Sequence, residues 1–512
     1  MTDPGADPTA PGARPSTDHA ADHGIDRAAG HGTDRPADPG TGPGGDLGAD
    51  LVVLGAGPAG LAAAWRAARA GRSVVLLERG DAVGGMAASF DVAGIRVDHG
   101  SHRLHPSIDP GVLADLAGLL GDDLQLRPRN GRLQVGGAWV GFPLRPAELV
   151  RRLPRGLVAR IAADTAAAPL RRRSAPPASY ADALRRSLGP GLYGALYAPF
   201  AEKLWGRSGE EIDAEQARRR VTADTPWKIA ARMLHGARDG QGRMFRYPRR
   251  GFGQLTDAVA AAATDAGARI ELRTEAVSLS PGADGVTVRT NGGAAISAGH
   301  VFSTVPLTAL ARIVDPGPPA DVLADAADLK FRAMVLVYLV LEGRRPWTTY
   351  DAHYLPGAGT PVTRVSEPAN YRDSADDPAD RTVLCAEIPC APDDAIWNAT
   401  DDDLAARVAD DLVRAGLPPV RPAAVVTRRL RHVYPVYETG FGARLAGLDA
   451  WASSLPGMTT FGRLGLFAHD NTHHAFVMAY DAVDALTGPS SGFDEQAWAT
   501  ARKRFATHVV ED

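Results

Sequence analysis

Short runs of apolar residues alternate with helical patterns along the chain, and the first run begins a strand–helix–strand unit. Residues 51–54 are continuously apolar, which is typical of a parallel strand buried on both faces. A glycine-rich turn, an alanine-rich stretch to Ala70 and a helix stop at Gly71 come next, and a second apolar run covers residues 73–77. This pattern predicts one complete β-α-β unit.

The alternation continues beyond this unit. Residues 143–238 are rich in arginine and predict mostly helical structure. Further helices are predicted for residues 254–266, 401–415 and 471–486. Strands are predicted for residues 269–278, 285–289, 300–304, 334–341, 352–355 and 382–388. Strands and helices interleaved over this length indicate an α/β protein with more than one domain.

The composition indicates a globular protein with an unstructured leader. Of the 512 residues, 45% are hydrophobic and 23% charged, so the chain is long enough for about two domains. Residues 1–48 are dense in Gly, Pro, Asp and Ala and nearly free of large apolar side chains. Such a segment cannot offset the entropy lost on ordering. We therefore expect a disordered, low-complexity tail over residues 1–48.

Charge and cysteine content exclude several classes of function. The formal net charge is −4, so no overall basic field would attract nucleic acid or an anionic membrane. The apolar runs are too short to span a bilayer, and no signal segment opens the chain. Cys385 and Cys390 lack the second ligand pair of a zinc site. We expect reduced thiols, no metal and a cytoplasmic location; the oligomeric state stays open, with a homodimer as one option.

The glycines after the first predicted strand have the spacing of a dinucleotide-binding turn. The turn reads Gly55, Ala56, Gly57, Pro58, Ala59, Gly60. The first glycine permits the tight turn, the second lets the backbone approach a pyrophosphate, and the third lets the helix pack closely on the strand. The phosphates would lie at the positive N-terminus of that helix. Glu78 ends the second strand, where an acid accepts hydrogen bonds from an unphosphorylated ribose.

A second glycine pair indicates which dinucleotide binds. Gly84, Gly85 and Met86 follow Glu78 and Arg79 closely, and glycines there let the chain pass close to a cofactor. An enzyme that uses NAD alone has no evident need for this pair. FAD is therefore the expected cofactor.

The C-terminal region offers another cofactor contact. Gly462 and Arg463 lie in a turn that leads to a predicted helix starting near Asn471. A helix N-terminus and an arginine suit a pyrophosphate or the edge of a flavin ring. A plain strand-to-helix connection is the alternative interpretation of this turn.

Five ordered motifs make the chain resemble a known superfamily. They are Glu78-Arg79 with Gly84-Gly85, the segment 98–105, the segment 202–206, the stretch 247–255, and residues 462–465 with Asn471. The set is similar to the flavin-containing superfamily of protoporphyrinogen oxidases, amine oxidases and UDP-galactopyranose mutases, over about residues 50–486. The resemblance implies an FAD-dependent enzyme acting on a small molecule, with FAD held covalently or non-covalently.

The predicted fold class is α/β, with a doubly wound, Rossmann-like FAD-binding domain of glutathione-reductase type and an inserted α+β substrate domain. The FAD-binding domain is predicted in three parts, 49–130, 241–310 and 428–490. The substrate domain is predicted in two parts, a mostly helical one at 131–240 and a sheet with a helix at 311–427. Residues 491–512 are expected to form a C-terminal helix or tail.

The resemblance also implies which residues lie beside the flavin. In relatives, the segment matching Gly100, Ser101, His102 and Arg103 runs along the isoalloxazine. A histidine there could bond the cofactor or exchange a proton with substrate near neutral pH, so His102 and Arg103 are candidate catalytic residues. A histidine satisfied by backbone in a loop is the alternative for His102.

Arg364 is a further candidate. In the mutases, a segment comparable to Arg364-x-x-Glu367 supplies an arginine to the substrate diphosphate, and a planar guanidinium suits bidentate oxyanion recognition. Arg364 therefore hints at an anionic or nucleotide-linked substrate. A structural or surface arginine is the alternative.

The segment after the Gly-Arg turn separates oxidation from ring contraction. Mutases place a tyrosine-rich, acidic stretch there, whereas this chain has His469, Asn471, His473 and His474. We expect His469 and Asn471 to line the flavin pocket, with His469 a catalytic candidate, and no metal site, because no carboxylate or thiol stands at matched spacing.

The predicted function is that of an FAD-dependent oxidase or dehydrogenase acting on a small, anionic or sugar-linked metabolite. A composition rich in Ala, Arg, Gly and Pro fits a setting in bacterial specialised metabolism. The alternative is a flavin-dependent sugar-nucleotide mutase with no net redox change.

Overall fold

The part of the chain that the structure describes is built around two seven-stranded sheets. The computed structural model describes residues 47–144, 146–168, 175–220, 244–343, 346–488 and 492–510. The predicted tail lies outside these residues except for its last two positions, where the first strand begins. The predicted helical residues 221–238 also lie outside them.

The strands follow one another along the chain from the dinucleotide turn to the C-terminal region. They are β1 (Leu47–Leu54), β2 (Val74–Leu77), β3 (Ser89–Val92), β4 (Ile95–Asp98), β5 (Leu124–Pro128), β6 (Gly131–Val135), β7 (Ala138–Phe142), β8 (Met244–Pro248), β9 (Arg269–Glu271), β10 (Ala276–Gly282), β11 (Gly285–Thr290), β12 (Ala295–Ser303), β13 (Phe331–Glu342), β14 (Ala352–Tyr354), β15 (Arg364–Ser366), β16 (Arg381–Cys390), β17 (Ala424–Pro435), β18 (Met458–Thr460), β19 (Leu486–Thr487) and β20 (Gly492–Phe493).

The α-helices follow the same order. They are α1 (Pro58–Arg69), α2 (Pro110–Leu120), α3 (Pro146–Arg152), α4 (Arg155–Ala166), α5 (Tyr180–Leu188), α6 (Pro190–Leu192), α7 (Ala198–Trp205), α8 (Ala214–Arg220), α9 (Gln254–Asp265), α10 (Leu307–Ile313), α11 (Ala320–Asp328), α12 (Ala395–Asn398), α13 (Asp401–Arg414), α14 (Phe441–Ser453), α15 (Gly462–Gly465), α16 (Thr472–Asp484) and α17 (Glu495–Phe505). Within the described ranges, none of these helices combines the length and apolarity that a membrane crossing requires.

The first sheet has the strand order β10-β11-β12-β1-β2-β9, and β18 pairs with the end of β12. Strands β12, β1, β2 and β9 are mutually parallel. The β1 residues 51–53 are fully buried, because α1, α9 and α16 cover one face of the sheet and α10, α11 and α14 cover the other. This doubly wound arrangement confirms the predicted α/β fold class.

The second sheet has the order β17-β13-β16-β15-β14-β6-β7 and is antiparallel except for the parallel pair β14–β6. Helix α13 packs on one face, and the hairpin β3–β4 packs on the other. The boundary predicted at residue 428 falls inside β17, which pairs with β13 along most of its length. The division into FAD-binding and substrate domains stays a prediction, although each sheet draws its strands from separated parts of the chain.

Candidate functional site

The turn after β1 shows why two of its glycines are required. Gly55 has φ +97°, and a Cβ there would lie 2.7 Å from Oγ1 of Thr304. A Cβ on Gly60 would lie 1.9 Å from the carbonyl oxygen of Gly55. The first position therefore needs a left-handed backbone, and the second needs close contact between α1 and β1.

Gly57 is different, because nothing in the described chain explains it. A Cβ at this position would have no heavy atom within 4 Å, and its φ of −74° suits any residue. Gly57 is the N-cap of α1, and no side chain caps that helix. The N-terminus of α1 therefore faces open space, which leaves room for an anionic group at its positive end.

Glu78 closes the same turn from the end of β2. Its Oε2 accepts from the backbone N–H of Ala56 (2.8 Å), and its Oε1 accepts from that of Gly80 (2.7 Å). Each carboxylate oxygen keeps a further lone pair. The side chain is thus held in place and can still accept hydroxyl groups of a ribose.

Gly84 and Gly85 bring a third segment against this turn. Gly84 has φ +102°, and a Cβ there would lie 2.7 Å from Oγ1 of Thr256. Its N–H donates to the carbonyl of Ala56 (2.8 Å). A Cβ on Gly85 would lie 3.3 Å from Cα of Gly57. Both glycines therefore serve close backbone packing beside the N-terminus of α1.

A cavity of about 990 Å³ runs from this turn to the second sheet. Most of the predicted site residues line it. They are Gly55, Gly57, Pro58, Ala59, Glu78, Arg79, Gly85, Met86, Gly100, Ser101, His102, Arg103, Arg364, Gly462, Arg463 and Asn471. Three predicted residues do not line it: Gly60 and Gly84, which pack on backbone, and His469.

The loop after β4 lines the cavity and is held by two side chains. Gly100 has φ +95°, and the backbone N–H of Ser101 donates to Oε1 of Glu387 (2.8 Å). The hydroxyls of Ser101 and Tyr371 share a short hydrogen bond. Glu387 is a site residue that the sequence motifs miss. The available signal is a single acid inside the predicted apolar strand 382–388.

Asp98 anchors the start of this loop. Its Oδ1 accepts from the hydroxyl of Ser89 (2.6 Å) and the backbone N–H of Phe252 (2.9 Å). Its Oδ2 accepts from the hydroxyl of Tyr247, and its carbonyl accepts from that of Tyr338 (2.6 Å). Burial is the largest influence on the Asp98 carboxyl and raises its pKa. These bonds fix the direction in which the next four residues enter the cavity.

His102 lies against an aromatic ring with one nitrogen unsatisfied. Its imidazole stacks on Phe252 at 5.2 Å between ring centroids. Its Nδ1 is buried and has no hydrogen-bond partner among the described residues. Removal from water lowers the pKa of His102 to about 4, so the ring is neutral at neutral pH. An unsatisfied polar atom of this kind suits a group that the chain itself does not supply.

Arg103 is enclosed by aromatic rings. Its guanidinium lies 5.1 Å from the ring centroid of Phe245 and 4.9 Å from that of Tyr371. Its Nη1 donates to the hydroxyl of Tyr354 (3.0 Å), and its Nη2 lies 3.1 Å from Oδ1 of Asp351. The cation is therefore paired and positioned, with Nε buried and unsatisfied among the described residues.

Arg364 is paired with the acid that holds Ser101. Its Nε and Nη2 donate to Oε1 (2.9 Å) and Oε2 (2.8 Å) of Glu387. A weaker contact joins Nη2 to the carbonyl of Ser101 (3.3 Å). Arg364 therefore has a structural role, because it supports the loop after β4, and it also lines the cavity, where a substrate could contact it.

Arg463 connects the C-terminal turn to the second sheet. Its Nη1 donates to the carbonyl of Asp470 (2.9 Å), and its Nη2 donates to that of Val433 (2.8 Å). Burial is the main reason that the pKa of Arg463 is lowered. Its Nε is left unsatisfied in the described chain, so this arginine mainly orders backbone rather than presenting a full fork to a phosphate.

The structure corrects the expectation that His469 lines the pocket. The residue is fully buried, and its Nε2 donates to the carbonyl of Pro435 (2.9 Å). Its ring packs against Tyr437, at 5.0 Å between centroids, and near Tyr434. Burial lowers the pKa of His469 well below its usual range. The backbone bond and the aromatic packing withdraw this histidine from the cavity.

A carboxylate and two histidines meet behind Asn471. The Nδ1 of His508 donates to Oδ1 of Asp470 (2.9 Å), and Nδ1 of His474 accepts from the backbone N–H of Asn471 (3.1 Å). The two imidazoles stack at 4.2 Å with planes 13° apart. The three ligand atoms of Asp470, His474 and His508 lie within 4.8 Å of one another, so the structure brings together a carboxylate and two histidines that the sequence analysis did not expect to meet. The hydrogen bonds of this cluster tie the C-terminal segment to the cavity.

The residues present fit an FAD. The N-terminus of α1 is open at Gly57, Glu78 has free acceptor capacity beside it, and the buried Nδ1 of His102 lacks a described partner further along the same cavity. These three features suit a pyrophosphate, a ribose and a polar ring edge respectively.

Sequence comparison gives the class of protein. Residues 58–479 match the family of flavin containing amine oxidoreductases. The chain belongs to this family, and it is an FAD-dependent oxidoreductase. Among curated protein sequences, none matches the chain significantly.

Solved structures agree with the fold. A reduced UDP-galactopyranose mutase is 22% identical, with 90% of this chain and 99% of that chain covered and a TM-score of 0.75. A protoporphyrinogen oxidase-like protein from Exiguobacterium sp. 255-15 is 18% identical, with 90% and 99% covered and a TM-score of 0.65. A triple mutant of putrescine oxidase is 18% identical, with 90% and 100% covered and a TM-score of 0.58. At these identities the likeness concerns the fold alone.

Proposed function

We propose that this chain is an oxidase or dehydrogenase for a small organic molecule, which binds in the part of the cavity beyond the dinucleotide turn. The observation that carries the proposal is the continuity of one cavity, from the open N-terminus of α1 to side chains of the second sheet. A cofactor and a substrate would share this space. Bacterial specialised metabolism remains part of the proposal.

The cofactor-binding roles follow from the contacts around the turn. The backbone of Gly55, Gly57 and Ala59 would take the pyrophosphate, and Glu78 would accept the ribose hydroxyls. Gly85 would let the chain approach the cofactor closely. FAD, when bound, supplies the acceptor for the two electrons and hydrogen removed from substrate.

The chain's own side chains supply positioning and charge. His102 is neutral at neutral pH, and its Nδ1 can accept or donate one hydrogen bond, depending on tautomer, beside the bound partner. Arg103 and Arg364 are held by Asp351 and Glu387, so neither guanidinium has to reorganise when a substrate enters. Their fixed charge would orient the substrate in the cavity.

The mutase remains the second candidate. The similarity in fold to a UDP-galactopyranose mutase and the presence of Arg364 in the cavity favour it. Against it stands the segment after Arg463, where His469 is buried against backbone rather than facing the cavity.

One anaerobic experiment tests both functions. The purified full chain is loaded with FAD, and its visible flavin absorbance is followed while candidate small molecules are added. The proposal expects one class of molecule to bleach the flavin without added reductant, and air to restore the colour. Turnover of a nucleotide sugar only after dithionite reduction, with no net oxidation, would instead support the mutase. A chain that stays colourless with excess FAD contradicts both.

A further inference from the structure

The substrate end of the cavity has an aromatic and aliphatic surface. We use the name cap wall for the cavity lining contributed by the second sheet and by the described helices between residues 146 and 220. Its apolar members include Leu133, Phe142, Leu196, Tyr197, Phe200 and Trp205. A surface of this kind binds molecules by removing apolar area from water, at about 25 cal/mol per Å². The cap wall therefore suits a substrate with a sizeable apolar body.

The cap wall offers no counter-charge for a cation. Among its described residues, the only carboxylate is that of Glu387, and both of its oxygens are occupied by Arg364, with Ser101 sharing one of them. A protonated amine that entered would lose its hydration without gaining an ion pair, which is strongly unfavourable. The family's association with amines is thus not matched by the charges of the cap wall.

Two arginines that line the cavity keep N–H donors that no described ion pair uses. Arg220 lines the cavity with its guanidinium 5.0 Å from the ring centroid of Tyr434, and it forms no ion pair with any described residue. Arg364 uses Nε and Nη2 on Glu387 and Ser101, while its Nη1 makes no hydrogen bond within the described chain. The cap wall therefore carries a net positive charge and has N–H donors that can bind a ligand.

We propose that the substrate is an apolar organic anion, whose carboxylate or comparable oxyanion contacts Arg220 and Arg364 while its apolar body packs on the cap wall. The inference rests on the proposed function and specifies the substrate class of the same site. Guanidinium groups suit oxyanions because their N–H donors match the spacing of two oxygens. A protonated amine is the class that the cap wall disfavours, because Glu387, its one described carboxylate, is already paired.

Binding of charge-matched probes tests the proposal. The FAD-loaded full chain is titrated by calorimetry at pH 7.5 with two pairs, indole-3-propionate against tryptamine and octanoate against octylamine. Each pair has a similar apolar body with opposite charge. We expect each carboxylate to bind at least about tenfold more tightly than its ammonium partner, which corresponds to about 1.4 kcal/mol. The preference should weaken as salt is raised.

Two variants assign the preference to the site. Arg220→Gln should weaken carboxylate binding about tenfold and leave ammonium binding unchanged or improved. Arg421→Gln, which removes an exposed arginine elsewhere, should change neither. Failure of both carboxylates to bind, equal or tighter binding by either ammonium compound, or an Arg220→Gln variant that keeps the full preference would overturn the proposal. The yellow colour of bound flavin reports FAD loading independently of the binding titrations. A chain that stays colourless would refute the proposed function, whereas a yellow chain that prefers ammonium compounds would refute this inference alone.

Discussion

Glu387 and Arg364 face each other across β15 and β16 and meet in a bidentate ion pair inside the cavity. They are direct partners in the antiparallel register, with Nη2 2.8 Å from Oε2 and Nε 2.9 Å from Oε1. The same carboxylate holds the N–H of Ser101. One cross-strand pair therefore connects the second sheet to the loop after β4, which lines the cavity.

Glu387→Gln should destabilise the fold strongly. The substitution leaves the Arg364 cation in a largely buried place without its counter-charge, at a cost of about 3 kcal/mol or more. Urea unfolding of the variant and the wild type measures the change. Glu342→Gln, at the exposed end of β13, is the matched control and should stay within about 0.5 kcal/mol. Equal effects of the two substitutions would contradict the structural role of the pair.

Gly57 and Gly60 should respond differently to alanine. Gly60→Ala places a methyl group 1.9 Å from a backbone oxygen, so we expect a loss of about 3 kcal/mol or more in unfolding free energy. The added methyl of Gly57→Ala meets no atom of the described residues within 4 Å, so the substitution should cost at most about 1 kcal/mol. Its methyl would instead obstruct the pyrophosphate, and FAD binding should fall at least about tenfold. An unchanged FAD affinity in Gly57→Ala would place the cofactor elsewhere.

Glu78→Gln should weaken FAD binding and lower the free energy of unfolding by about 1–3 kcal/mol. The amide would set its NH₂ group against one of the two backbone donors, Ala56 or Gly80, and would offer the ribose a weaker acceptor. We expect about a tenfold rise in the dissociation constant, measured by FAD fluorescence titration. Glu271→Gln on the neighbouring strand β9 is the control. If both variants bind FAD as the wild type does, the ribose contact is not made by Glu78.

Stability should fall at acidic pH through buried neutral histidines. His353 is 1% exposed, and burial lowers its pKa to about 4, whereas an unfolded chain titrates near 6.5. Between these values only the unfolded state binds the proton, so unfolding free energy decreases as pH falls from about 6.5 to about 4, by up to about 1.4 kcal/mol per pH unit.

His353→Phe should remove about one proton from the difference in protons bound by the unfolded and folded states. The slope of unfolding free energy against pH should fall accordingly, by up to about 1.4 kcal/mol per pH unit. Phenylalanine can occupy the aromatic surroundings of Trp139, Trp347 and Tyr350. Urea unfolding at pH 5, 6 and 7.5 measures the effect. Above pH 7 the two proteins should show the same pH dependence, and an unchanged slope between pH 5 and 6 would show that His353 is not buried in its neutral form.

The dinucleotide turn could be predicted because its parts are close in the chain. β1, the glycine turn, α1 and Glu78 lie within one β-α-β unit, where chain direction and helix polarity follow from local patterns. Gly55, Gly57 and Glu78 all line the cavity. Their binding roles stay predictions.

The roles of Glu387 and His469 could not be predicted in this way. Glu387 becomes important through the register of β15 with β16 and through contact with Ser101, which is 286 residues away in the chain. The expectation that His469 lies in the pocket is wrong, because a hydrogen bond to Pro435 and packing on Tyr437 hold it behind the lining. Neither position has a local motif that encodes its direction.

The sequence by itself determined the class of fold, the cofactor and the position of the glycine turn after β1, because apolar periodicity and glycine spacing act over short stretches of chain. Only the tertiary structure decided which charges in the cavity are already paired and which remain for a ligand. That distinction depends on distances between side chains from different sheets, and those distances exist only after the chain has folded.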